Sequence, residues 1–446
     1  MTNRTMPLTM MLAAVALHAS APAQDLTFKA PPQDHTIAIV NATIHTVSGE
    51  TIGRGYVVFE HGVITQVGQG GFNLTGPGEV IDATGKHVYP GLIGTVTQTG
   101  LTEFGSLGDT VDHNELGQFK PEVRAATAVN PDSAIIPVTR SAGILVTGVF
   151  PTSGRVRGRA SVVQLDGWTW EDMTVLGDAG LVISWPNARP IRAPWMNQSE
   201  REQRDRSRKE FDELSQFFDQ ARAYMEARAV DPTVTTDIRF EAMRSVFADG
   251  PQRRPVFIFA NDVDQITDAV TWAAKYDLDA ILVGGRDAPL VADLVKAHDV
   301  GVIVSGTHSF PKRNDSNYDD AFTLPKRLQD AGIRWCLASG QGAAHERNLM
   351  HNAATAVAFG LSQDDAIRAI TLWAAEMLGV AGTLGSIDAG KSATLIITDG
   401  TPLEITTSIE RAFIDGRDID LTNKQTKLND KYREKYRQLG ADNSGN

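Results

Sequence analysis

The chain has 446 residues, 42% hydrophobic and 22% charged, with a formal net charge of −12. That mixture excludes wholesale disorder, a collagen-like fibre and a polytopic membrane protein, and the acidity, with no long Lys/Arg run, excludes a nucleic-acid-binding surface. A single cysteine, Cys336, excludes an intramolecular disulfide, a Cys-rich metal site and an iron–sulfur cluster.

Residues 1–23 have the pattern of a cleaved export signal. Arg4 supplies a short positive region, 8–17 is nearly all apolar, and Ala21-Pro22-Ala23 is a small-x-small cleavage site before Gln24. The apolar run is too short for a stop-transfer helix. The mature protein is expected in the periplasm or outside the cell, without a membrane anchor. Losing Arg4 takes the charge from −12 to −13.

From 37 to 67, β-branched residues alternate with polar ones and Gly-containing breaks recur, which predicts short antiparallel strands. Residues 79–93 add a strand and a Gly-Lys turn, and 384–420 return to the same style. The stretch between alternates short apolar runs with amphipathic helical patterns. The runs are ILVTGV (144–149), SVVQL (161–165), LVISW (181–185), VFIFA (256–260), AILVG (280–284), GVIVS (301–305) and RWCLA (334–338). Helices are expected at 264–276, 289–296 and 364–378. Continuous apolar runs between helices predict a parallel sheet, and with a strand ending near Thr97 the runs number eight. The fold class read from this is α/β: a (β/α)8 TIM barrel (94–383) with a small composite β-sandwich built from 30–93 and 384–421, followed by a polar tail at 422–446. Ser199 and Glu202 form a capping box ahead of a long surface helix whose apolar stripe is Phe211, Leu214, Phe217, Phe218, Ala221, Tyr224 and Met225. The Pro- and Trp-containing stretch 185–195 reads either as a substrate loop or as a packed surface loop.

The segments VYPGLI (88–93), LGSIDAGKSATLIITDGTPLE (384–404) and RAFIDGRDI (411–419) resemble the entry to the first barrel strand, the return to the small sandwich and its last strand in the amidohydrolase superfamily, nearest its imidazolonepropionase-like branch. The resemblance covers essentially the whole mature chain. It implies a hydrolase acting on carbon–nitrogen, non-peptide bonds, using zinc or another divalent metal at the C-terminal ends of the strands. Its ligands would be an HxH pair on strand one, a Lys or Glu on strand four, a His on each of strands five and six, and an Asp on strand eight. The metal would activate a water with that Asp as base.

This chain departs from the pattern at those places. Val96 and Gln98 stand where the HxH pair is expected, Phe259 stands on strand five, Gly284 on strand six, and Ser339-Gly340 on strand eight. Valine, phenylalanine and glycine side chains offer nothing to a hard or borderline metal, so no metal and no other cofactor is expected.

The remaining candidates follow strand ends. His308, after the seventh strand, and His345, near the eighth, are the candidate catalytic bases. Gln98, Asn261, Asp262 and Gln341 are the candidate ligand-binding residues, with the alternative that Asn261 and Asp262 cap the following helix. His308, Asn261, Gln98 and Gln341 are expected to converge in one cavity. His113, with Asp109, Asp112 and Glu115, lies in a ligand-rich loop that reads as metal-binding or merely solvated. His35, His45, His61 and His87 sit by the sandwich strands, His298 reads as a C-terminal helix cap or an exposed residue, and Cys336 reads as an inert buried thiol.

Two functional classes follow. One is a hydrolase, not working by the usual metal mechanism; the other is a non-catalytic ligand-binding or partner subunit, a pseudo-enzyme. A small molecule is the expected ligand. A homo-oligomer, or pairing with a related active barrel, is the expected assembly, with a monomer as the alternative.

Overall fold

The structure, a computed structural model, describes residues 28–74, 76–187, 189–191 and 195–440. The export-signal pattern at 1–23 lies outside the described residues. Strands β1 (Thr36–His45), β2 (Thr51–Glu60), β3 (Val63–Gln69), β4 (Gly78–Asp82) and β5 (His87–Pro90) come from the beginning of the chain. The barrel strands are β6 (Leu92–Thr97), β7 (Ile144–Val149), β8 (Val156–Gln164), β9 (Thr174–Ser184), β10 (Val256–Ala260), β11 (Ala280–Gly284), β12 (Gly301–Val304) and β13 (Trp335–Leu337). Near the end follow β14 (Leu395–Thr398), β15 (Ile409–Ile414) and β16 (Arg417–Asp418).

One sheet runs β16-β15-β14-β5-β1-β2-β3, with β4 beside β1. Its centre is the antiparallel pairing of β14 with β5, so the two ends of the chain make one domain. Alternate residues Ile37, Ile39, Val57, Phe59, Leu395, Ile397 and Phe413 turn inward to a separate core, as period-two patterning requires.

The second sheet runs β6 to β13 in sequence order and curls into the nearly closed barrel. Along β10 the alternation is plain. Phe257 and Phe259 face the barrel interior, while Val256, Ile258 and Ala260 pack under the outer helices. The seam between first and last strands is bridged by the Thr95 hydroxyl, which donates to the Leu337 carbonyl at 3.3 Å.

Three details differ from the sequence reading. The sheet is not wholly parallel: β8 pairs antiparallel with both β7 and β9. The run 161–165 is buried as expected, but a buried apolar run carries no direction. The helix expected at 289–296 begins as a 3-10 turn, Ala288–Val291, before the α-helix Ala292–Ala297. The helix expected at 364–378 is two, Gln363–Ala369 and Leu372–Met377, broken at Thr371 (φ −136°, ψ −94°). Thr371 is fully buried and its hydroxyl donates to Ile367 O at 2.6 Å. The break lets the second piece close the barrel end opposite the mouth, where Met377 lies against Gly301, the first residue of β12.

The long helix Glu200–Val230 forms with its Ser199–Glu202 capping box and buries Leu214, Phe217, Phe218 and Ala221. A helix, Lys424–Gln438, ends the described chain and buries none of its residues. Among the described residues no helix is long and apolar enough to cross a membrane.

Candidate barrel-mouth site

The mouth is the rim where β6, β7 and β9–β13 end and where antiparallel β8 begins. Its inner face carries Val96, Phe259 and Ala338, packed on the interior core. Strand parity adds Arg157 and Ser184, one residue beyond the outward Val156 and Ile183. Arg157 lies over the Phe259 ring, its Cζ 3.9 Å from the centroid, and its Nε donates to Ser184 Oγ at 2.6 Å. No ion pair to Arg157 forms among the described residues. Burial, and then the neighbouring Arg155, pull its pKa down to about 10, so it stays charged at neutral pH. Lys120, 4% exposed, lies beside it and donates only to neutral acceptors, Glu115 O at 2.7 Å and Ser153 Oγ at 2.6 Å. Glu115 and Glu122 act on Lys120 more strongly than Arg157 does, so Arg157 is the cation of the mouth without a carboxylate acting on it.

A divalent metal does not fit this rim. The backbone forbids a ligand side chain at two of the expected places. Gly284 has φ +106°, and a Cβ there would lie 2.4 Å from Asn261 Oδ1; Gly340 has φ +66°, and a Cβ would lie 1.9 Å from Ser305 O. At a third, Phe259 is covered by the Arg157 cation, which would repel a second positive charge. Among the described residues no three His, Cys, Asp or Glu side chains gather as a metal site. His113 instead bonds Thr152 Oγ1 through Nδ1 at 2.6 Å.

The residues singled out from sequence are placed as follows. His308 is exposed and turned to the outer helix Leu349–Ala358, where its Nε2 bonds Thr355 Oγ1 at 2.8 Å. His345 is exposed in the 3-10 helix Ala343–Asn348 and makes no side-chain hydrogen bond among the described residues. Gln98 is half-buried at the end of β6, and its carbonyl accepts from Leu101 N. Asn261 lies over Gly284. Asp262 is the N-cap of the helix Val263–Lys275 and is ion-paired to Arg286, with Arg313 at 3.7 Å. Gln341 accepts from Asn348 Nδ2 at 2.9 Å. No hydrogen bond or ion pair joins any two of His308, Gln98, Asn261 and Gln341, because His308 follows a tight turn whose amides are tied to Asn352 on the outer helix. Cys336 is fully buried, and burial pushes its thiol well above the usual range.

Sequence reasoning missed three residues. Arg157 sits in RVRGR (155–159), whose alternation of arginine with Val and Gly was itself a strand signal with a charged inner face. Ser184 was hidden in an apolar run. Glu346 is fully buried behind β6. Its Oε2 accepts from Ser339 Oγ at 2.5 Å and its Oε1 has no partner, lying where a Cβ on Gly94 would be 2.4 Å away. Burial pushes this carboxyl up to about 7.

A rim cavity of about 360 Å3 opens beside the mouth. It is lined by Ser184 at the end of β9, by Trp185, Asn187 and Arg189 from the 185–195 stretch and by Gln203 and Arg206 of the long helix.

Residues 280–422 match the family model described as Amidohydrolase family. No curated relative matches the chain. Among solved structures, an amidohydrolase from Thermotoga maritima MSB8 is similar at TM-score 0.75 and 23% identity, covering 86% of this chain and 99% of that one. A Xaa-Pro dipeptidase with bound methionine is similar at 0.53 and 14%, covering 86% and 100%. Molinate hydrolase is similar at 0.53 and 18%, covering 89% and 96%.

Proposed function

Starting from the amidohydrolase-superfamily fold, with its barrel and composite domain, we propose that this chain is an exported pseudo-enzyme: a non-catalytic small-molecule-binding barrel that has exchanged metal-assisted hydrolysis for recognition. The observation that carries the reading is Arg157 lying over Phe259 and held by Ser184. A guanidinium fills the part of the mouth where strands four and five of the family would present metal ligands. Catalysis of the family's kind needs a polarised water beside a carboxylate base. Here the backbone at Gly284, φ +106°, and at Gly340, φ +66° with Ser305 O 1.9 Å from a Cβ, opposes either ligand or base. The metal-free alternative loses support with the outward turn of His308 toward Thr355. Export rests on Arg4, the apolar run 8–17 and Ala21-Pro22-Ala23. The strand-rich segments 30–93 and 384–421 would act as a fixed base for the barrel 94–383, with 422–446 as a solvated tail.

The test joins elemental analysis of protein purified without chelator to a turnover screen with dipeptides and cyclic amides, with and without added zinc or manganese. Substoichiometric metal and no turnover are expected. Stoichiometric metal with metal-dependent hydrolysis would overturn the reading.

A further inference from the structure

We infer that the barrel mouth holds a subsite for a small organic carboxylate, gripped by the two outer Nη groups of Arg157 beside the Ser184 hydroxyl, with the apolar body of the acid against the inner wall. This deepens the binding reading and rests on it.

Four observations converge. First, the Arg157 plane is fixed on one side by the Phe259 ring at 3.9 Å and at its root by the 2.6 Å bond to Ser184 Oγ. A guanidinium held in that way has its in-plane fork preorganised, and the fork matches a carboxylate in two parallel hydrogen bonds. Second, neither Nη makes a hydrogen bond to a described residue, and no carboxylate is ion-paired to the group. Its neighbours are treated otherwise: Arg140 and Arg417 both reach Asp166, Arg155 reaches Glu210, and Arg159 reaches Asp178. In a chain with 54 acidic residues, the inward arginine is the one left without an anion among these five. Third, burial and then Arg155, itself paired to Glu210, disfavour the charge on Arg157, so an incoming anion would relieve repulsion as well as desolvation. Fourth, the wall beneath is apolar, formed by the half-buried Val96 and Phe259 over the buried Val283 and Ala338. A single fork and one hydroxyl suit a monoanion with an apolar body better than a phosphate, whose further oxygens would lack donors here.

The probes are 4-fluorobenzoate, its neutral isostere 4-fluorobenzamide and inorganic phosphate. Binding of the fluorinated pair to the mature chain is followed by fluorine NMR, and phosphate is added as a competitor. The expected result is binding of the benzoate, with the benzamide about tenfold weaker or worse, the scale of a charge-assisted pair. Arg157→Met should weaken the benzoate about tenfold and leave the benzamide unchanged, while Arg157→Lys, which keeps charge but not the fork, should fall between. Phosphate should compete poorly. Equal affinity for acid and amide, unchanged benzoate binding in Arg157→Met, displacement by phosphate as strong as by benzoate, or no binding of the benzoate at tens of millimolar would each overturn the subsite. If Arg157→Met does not fold, Arg157→Lys alone decides by the same ratio. Hydrolytic turnover in the separate screen would remove the pseudo-enzyme reading while leaving a positive benzoate result standing, so the two failures are distinguishable.

Discussion

The two halves of the barrel differ in how their strands pair. From β9 to β13 every neighbour is parallel and the registers run without a break. The family match, 280–422, begins inside this half. From β6 to β9 the sheet contains the antiparallel β8 and several register shifts. The regular half carries Phe259, Gly284 and Gly340 at its rim. The irregular half supplies the cation that lies against it, because antiparallel β8 begins at the mouth and Arg157 is its second residue.

The largest effect should come from trying to restore the regular half. Gly340→Ala, the smallest step toward a strand-eight ligand, puts a Cβ 1.9 Å from Ser305 O on a backbone with φ +66°. It should cost upwards of about 4 kcal/mol, because backbone rather than a flexible side chain must move. Denaturant unfolding measures it, and a loss under about 1 kcal/mol would mean that the rim can still accept a ligand side chain.

The next tests how the irregular half is anchored. Asp166, just past β8, is 4% exposed and lies between Arg140 at 3.3 Å and Arg417 of β16 at 2.5 Å, joining barrel to composite sheet. Asp166→Ala leaves two buried guanidiniums facing each other and should cost about 3–5 kcal/mol. A change near zero in chemical denaturation would show the triad to be dispensable.

Much of this frame was legible in the sequence. The number of barrel strands, the pairing of the chain ends, the long helix and its capping box all follow from periodicity and cap residues, which are local. The strand around 161–165 was legible as buried but not as reversed, since parity and burial are the same in either direction. The break at Thr371 could not be read, because the contact made there is tertiary: Ile93 N of β6 donates to the Ile370 carbonyl. The site was less legible still. Val96, Gln98 and Phe259 stood out as departures from the family pattern, but Arg157 could not be placed without knowing the direction of its strand, and His308 looked inward until its turn was tied to Asn352.

A third comparison sets the barrel seam against the composite sheet by pH. Glu346, by the seam, has its carboxyl raised by burial to about 7, from an ordinary value of 4.5. Its contribution to stability is complete below about pH 4.5 and is lost as pH rises through 7. His45, stacked on Tyr89 at 4.0 Å in the composite sheet, has its pKa lowered by burial, and then by His87, to about 4, from 6.5. Its contribution is complete above 6.5 and is lost as pH falls through about 4. The two oppose each other between roughly pH 4.5 and 6.5, each worth up to about 3 kcal/mol, so stability there should be nearly flat. Glu346→Gln should uncover a stability that rises with pH across this window, and His45→Phe one that falls. Parallel profiles for all three proteins would contradict both assignments.

The smallest expected effect has the opposite sign, and it bears most directly on what the irregular half is for. An arginine kept for recognition is held in a place that does not suit it. Burial and Arg155 both disfavour its charge, and no carboxylate compensates. Against this stand its contact with the Phe259 ring and its bond to Ser184, together worth about 1–3 kcal/mol in comparable settings. The penalty implied by a pKa of about 10 is of similar size, about 3 kcal/mol. Arg157→Met keeps the packing on Phe259 and removes the desolvated charge, so without ligand it should be more stable than the parent by about 1 kcal/mol, a gain typical of substitutions at sites shaped for function. In saturating 4-fluorobenzoate the order should reverse, because only the parent gains from binding. Thermal melts of both proteins with and without the acid measure the crossing. If Arg157→Met is less stable than the parent in its absence by 2 kcal/mol or more, on the scale of a lost buried network, then Arg157 is a structural strut between β8, β9 and β10, and the antiparallel strand was retained for the fold and not for a ligand.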